Sequence, residues 1–231
     1  MPKELPVDSF RLSGRDSGNP NGLKPVSIKP KSFQPTIKVH AMQPFHSQDY
    51  GPAVAVLIDG DRLNTLGPGN PNQSAQVALE KLDQIHLFGD QVVADSDMAN
   101  CCLSSLWLWH DFLELSHNLS QAVDTPSGSY WHGIMHRREP DFPNSKYWFR
   151  RVDDHPIFPM LGDAAKQIAS AADVDLAGQF LVTQDTWDPF RCIDFCEKVL
   201  GTGTKSEQLA RQIARREWQI LFSYCYQSAV E

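Results

Sequence analysis

Apolar positions settle into a helical period only from about residue 74. Between Ser74 and Phe88, the residues Val77, Leu79, Leu82 and Ile85 recur at helical spacing, with Ser74 as a cap and Gly89 as a stop. Asp95 or Ser96 opens a stretch that reads as one long helix to about Val123, closed by Asp124-Thr125-Pro126. The next helix starts at Ser127 or Ser129 and is ended by Pro140. A short helix covers Asn144 to Arg151, and another about Met160 to Ala172. Asp188-Pro189 pairs a cap with a first-turn proline, and Gly201 is the matching stop. Ser206 opens a last helix that runs almost to Glu231. Upstream, the apolar run Ala53 to Ile58 is too short to distinguish helix from strand, and Leu66 to Pro71 must be a loop. No internal repeat is present. The pattern predicts a mainly α fold, with one helical domain over residues 51–231 arranged as a bundle or an orthogonal array.

Residues 1–50 never find a period. They hold seven prolines and seven Lys/Arg against four Asp/Glu, so this segment is +3 and the remainder −10. The expectation is an irregular, extended N-terminal arm, with Thr36 to Met42 as a short strand or a segment lying against the body.

Composition narrows the class. With 231 residues and 41% apolar, the chain can bury one sizeable core. A net charge of −7 argues against nucleic acid or an anionic membrane as partner. No apolar run approaches the roughly 18 residues of a membrane span, and no secretory leader is read at the N-terminus. The five cysteines, Cys101, Cys102, Cys192, Cys196 and Cys225, are odd in number and form no CxxC pair. Reduced, buried thiols and a cytoplasmic location are expected. Nothing in the composition sets the oligomeric state.

The candidate chemistry lies between Trp107 and Phe158. On the long helix, His110, Glu114, His117 and Gln121 recur at i, i+4, i+7 and i+11, forming a row opposite Leu108, Phe112, Leu115 and Leu119. On the next helix, His132, His136 and Glu139 form a second row. Only Asp124 to Gly128 connect the two, a link short enough to fold them into an antiparallel pair. His117 then comes level with His132 and His136, and Glu114 with Glu139.

Facing rows of imidazole and carboxylate are how helical bundles hold zinc, iron or manganese. Glu114-Leu115-Ser116-His117 has the Glu-x-x-His spacing of di-iron carboxylate bundles. The second helix departs from that pattern with His-x-x-x-His and His-x-x-Glu. The competing reading is a solvated face carrying ordinary Glu–His ion pairs.

Arg137, Arg138, Lys146, Arg150 and Arg151 make a basic cluster interleaved with Tyr147, Trp148 and Phe149. Guanidinium forks suit a small anionic substrate, although Glu139, Asp141, Asp153 and Asp154 stand close enough to neutralise them. His110-Asp111 is a bare HD dipeptide of the kind used by metal-dependent phosphohydrolases, but Asp111 points away from the His110 row. No GxGxxG, HExxH or GxSxG pattern is present.

The segment Tyr130-Trp131-His132-Gly133-Ile134-Met135-His136-Arg137-Arg138-Glu139-Pro140-Asp141, continuing through Asn144-Ser145-Lys146-Tyr147-Trp148-Phe149-Arg150-Arg151, resembles an uncharacterised family of bacterial and fungal helical proteins. The likeness extends from Arg62-Leu63-Asn64 through Trp187-Asp188-Pro189-Phe190 to Glu217-Trp218. It implies a shared compact body and no particular mechanism.

Two functions follow from the residues. The first is a metal-dependent helical enzyme, hydrolytic or oxidative, acting on a small anionic molecule. His117, His132 and His136 are its core ligands and His110 an outer ligand or partner. Glu114 and Glu139 serve as ligands or as a general base, while Arg137, Arg138, Lys146 and Arg150 hold the anion. The second is a non-catalytic binding or scaffold protein whose histidines are structural.

Overall fold

The computed structural model describes residues 45–172 and 174–231. The expected arm, apart from its last six residues, and the candidate strand at Thr36–Met42 lie outside the described residues. Those last six already belong to the body. Phe45 stacks on Tyr50 at 5.1 Å, and both rings pack against Phe222.

Eleven α-helices and no strand occur among the described residues. They are α1 (Pro52–Ile58), α2 (Gln73–Glu80), α3 (Gln84–Phe88), α4 (Ser96–Trp109), α5 (Leu113–Ser120), α6 (Pro126–Arg138), α7 (Phe142–Val152), α8 (Phe158–Ser170), α9 (Phe180–Thr183), α10 (Pro189–Val199) and α11 (Lys205–Val230). The mainly α expectation holds. The apolar run at Ala53 to Ile58 resolves as helix because Pro52 occupies the first turn. Asp188 accepts from the backbone N–H groups of Phe190 and Arg191 as a cap for α10.

The long α11 is the axis, with α4, α8 and α10 packed along it. Trp218 and Phe222 on α11 stack at 4.9 Å, and Trp109 of α4 closes on Trp218 at 4.4 Å. All five cysteines are unpaired and buried, as their spacing indicates.

Two predicted helices are broken. The stretch from Ser74 divides at Lys81–Asp83, where Asp83 accepts from the His86 N–H and starts α3 afresh. The long helix divides at His110–Phe112. Asp111 takes a left-handed φ of 65°, and the backbone carbonyl of His110 accepts from Asn72 N–H. Neither proline nor glycine marks this break. Tertiary partners of Asp111 hold it open: Arg62 donates at 2.7 Å, Asn64 at 2.9 Å and Arg138 at 2.6 Å.

Helix α6 also starts earlier than its serines suggest, with Thr125 accepting from Gly128 N–H and Pro126 in the first turn. It is central. Every residue from Ser127 to Arg138 is buried, between α5, α7 and α4. A buried helix this polar requires a partner for each His and Arg. Its close approach to α7 depends on Gly133, where a Cβ would meet the Phe149 ring at 2.7 Å, and Ser145 Oγ donates to the Gly133 carbonyl at 2.7 Å.

Candidate metal centre

The short connection between α5 and α6 does bring their histidines together. His117 from α5 and His132 and His136 from α6 place one ring nitrogen each within 4.8 Å of one another. The i, i+4 spacing sets His132 and His136 one turn apart on one face of α6, with Nε2 to Nε2 at 2.9 Å. The His117 ring lies 4.5 Å from the His132 ring and 5.3 Å from that of His136, centroid to centroid.

The partners on the far nitrogens set the tautomers. Ser120 Oγ donates to the Ser116 carbonyl at 2.9 Å and so accepts from His132 Nδ1 at 3.2 Å. Glu139 Oε2 accepts from His136 Nδ1 at 3.1 Å. In this arrangement both Nε2 atoms present lone pairs to the same space, which is the ligating form of imidazole. Burial, then the neighbouring His136 and His117, holds His132 down to about 3. Burial also lowers His136, against the pull of Glu139. A proton shared between the rings is therefore disfavoured, whereas a cation with bonds of about 2.0–2.1 Å satisfies both lone pairs.

Three neighbours went unnoticed in the sequence. Ser120 orients His132. Trp148 packs on the His132 ring at 4.0 Å, and Asn144 Nδ2 lies 3.1 Å from His136 Nε2. The i, i+4 spacing of Asn144 and Trp148 on α7 is the signal that could have found the last two.

The other candidates are placed elsewhere. The break at Asp111 resets the helical phase, so His110 leaves the row. Its Nε2 donates to the Leu57 carbonyl at 3.0 Å and its Nδ1 accepts from Asn72 at 3.0 Å, which occupies both nitrogens. The HD dipeptide is likewise committed, since Asp111 is held by Arg62, Asn64 and Arg138. Glu139 sits behind His136, on Nδ1 rather than on the Nε2 that faces His132. Glu114 is exposed in the first turn of α5 and makes no ion pair or hydrogen bond among the described residues.

The basic cluster divides. Arg137 forms a buried ion pair with Glu217, which also accepts from Tyr130 at 3.0 Å. Arg138 binds Asp111 and the Gly67 carbonyl. Lys146 pairs with Asp194 at 2.5 Å. Arg150 is exposed, and Arg151 lies over the Trp148 ring at 5.2 Å while pairing with Asp124. Of these cations only Arg151 is linked to the histidines, through the Trp148 ring that packs on His132.

Comparison with protein-family models, with curated proteins and with solved structures finds no match in any of the three. No helix among the described residues is long and apolar enough to cross a membrane.

Proposed function

We propose that this protein is a metal-dependent hydrolytic enzyme in which His117, His132 and His136 hold one divalent ion. The observation that carries the reading is the 2.9 Å approach of two Nε2 atoms whose far nitrogens are engaged by Ser120 and Glu139, with a third imidazole beside them. Three neutral imidazoles leave the charge of the ion undiminished. A divalent ion held there would lower the pKa of a coordinated water to about 7 and so supply a hydroxide nucleophile. That chemistry would suit hydrolysis at an electrophilic carbonyl or phosphoryl centre. Glu114, on the same helix one turn before His117, is the free carboxylate available as the base that takes the water proton. Glu139 acts through His136, raising its basicity. Arg151, over the Trp148 ring and paired with the exposed Asp124, is the cation nearest the histidines that could meet an anionic substrate. Zinc suits the hydrolytic form, whereas iron or manganese in the same ligands turns the chemistry oxidative.

Elemental analysis of protein purified without a histidine tag tests the ligands, together with calorimetric zinc titration of the chelated protein. The expected result is about one ion per chain, and a fall in affinity of about 100-fold or more in His132→Ala. A metal-free protein that takes up no ion leaves the histidines as a packed trio of rings and favours the scaffold reading. Turnover of activated esters and phosphodiesters by the loaded protein, absent in His132→Ala, tests the reaction.

A further inference from the structure

Helix α6 has a second functional face. Ile134, Arg137 and Arg138 stand roughly half a turn around the axis from His132 and His136 at 100° per residue. They line a cavity of about 40 Å³ that the histidines do not touch. Arg211 and Arg215 of α11 line it as well, and the indoles of Trp109 and Trp218 form part of its wall.

The charges around this cavity do not balance. Arg137 has Glu217 to itself, but Arg138 shares Asp111 with Arg62. Among the described residues, Arg211 donates to the backbone carbonyls of Leu63 and Asn64 and to no carboxylate. Arg215 reaches Asp61, whose side chain is fully exposed, and its own Nε is buried with no hydrogen-bond partner. Four arginines therefore line this space, and the two buried carboxylates beside it, Glu217 and Asp111, match Arg137 and Arg138, which leaves Arg211 and Arg215 without a buried carboxylate among the described residues. Both arginines are only partly buried, so the clearest cost is the buried Nε of Arg215, which lacks a hydrogen bond. One small anion offsets that cost. Planar forks match the geometry of carboxylate and phosphate oxygens, and the apolar walls strengthen the attraction. The size agrees. One water needs roughly 10–15 Å³ on this measure, so the cavity holds two or three waters or one compact oxyanion.

We propose that the cavity between α6, α11 and the 62–69 loop is a binding site for a small oxyanion, held by Arg211 and Arg215. It is independent of the metal reading. Occupancy ties the loop that carries Leu63, Asn64 and Gly67 to α11, so the anion acts as a clasp on that loop.

The test uses the full chain with inorganic phosphate and acetate as probes and chloride at matched ionic strength as reference. Binding is measured by calorimetry and by melting temperature. Phosphate or acetate, whichever the cavity prefers, is expected to raise the melting temperature at millimolar concentration where chloride does not. Arg211→Gln and Arg215→Gln are each expected to weaken that binding about tenfold or more. Arg215 is half-buried, so its variant reports the loss even where Arg211→Gln loosens the loop. Equal responses to all three anions, or unchanged affinity in Arg215→Gln, overturn the site.

Discussion

His132 and His136 face one another through their Nε2 atoms at 2.9 Å, and Glu139 holds the far side of the second ring at 3.1 Å. The carboxylate is 40% exposed, so its pairing contributes little to folding and its influence passes mainly through the imidazole. Glu139→Gln is therefore expected to fold normally and to bind zinc about 10–100-fold more weakly. Calorimetry on the chelated protein checks this, and an unchanged affinity removes Glu139 from the site.

His155 gives the protein an acid limit that is separate from the metal centre. Its Nδ1 accepts from Ile157 N–H at 3.4 Å and its Nε2 donates to Ser127 Oγ at 3.1 Å, in a ring cage of Tyr130, Phe158 and Tyr224. Burial pushes its pKa down from 6.5 to about 4. The unfolded chain takes up the proton near pH 6.5 and the folded chain only near 4. Stability from this group is thus full above pH 6.5 and is lost as pH falls through that window, by roughly 3 kcal/mol. His132 has the same sign, with its loss extending to about pH 3. Urea denaturation at pH 7 and pH 4 is expected to show a smaller loss for His155→Gln than for the native chain. Equal losses mean that His155 is not held neutral.

Arg137 and Glu217 are a core ion pair, with Glu217 at 0% exposure and linked to Tyr130. Removing one partner strands the other charge away from water. Arg137→Met alone is expected to cost about 3–5 kcal/mol in denaturant unfolding. Arg137→Met with Glu217→Leu should cost less than either single change, because no charge is then left buried. A double variant as unstable as the sum of the singles contradicts that account.

These positions also mark how far the sequence could be read. The histidine trio was legible because its signal is local, an i, i+4 pair on α6 and a five-residue link to α5. His110 was misplaced because α4 ends at a non-glycine residue whose left-handed backbone is held by Arg62, Asn64 and Arg138, contacts that span 27 to 49 positions. Arg137 and Arg138 read as a substrate grip for the same reason. Their neutralising partners are Glu217 and Asp111, distant in sequence, rather than the nearby Glu139 and Asp141. Periodicity reports which face a side chain takes, and it reports nothing about the partner that long-range packing brings to it.

The bend at Asp111 yields a prediction about Gly69. A Cβ on Gly69 would lie 2.6 Å from the Asp111 carboxyl carbon, and the backbone there has φ of 72°. Gly69→Ala thus carries two penalties, a left-handed backbone worth about 1 kcal/mol and a clash with a carboxylate that three side chains hold in place. Asp111→Ala removes the clash, though it also strands Arg62 and Arg138 and is destabilising by itself. In a double-mutant cycle, Gly69→Ala should cost clearly less in the Asp111→Ala background than in the native chain, a coupling of about 1–3 kcal/mol. Strict additivity would mean that the 62–69 loop yields freely at Gly69. The joint between this loop and α6 would then be looser than the three hydrogen bonds on Asp111 require.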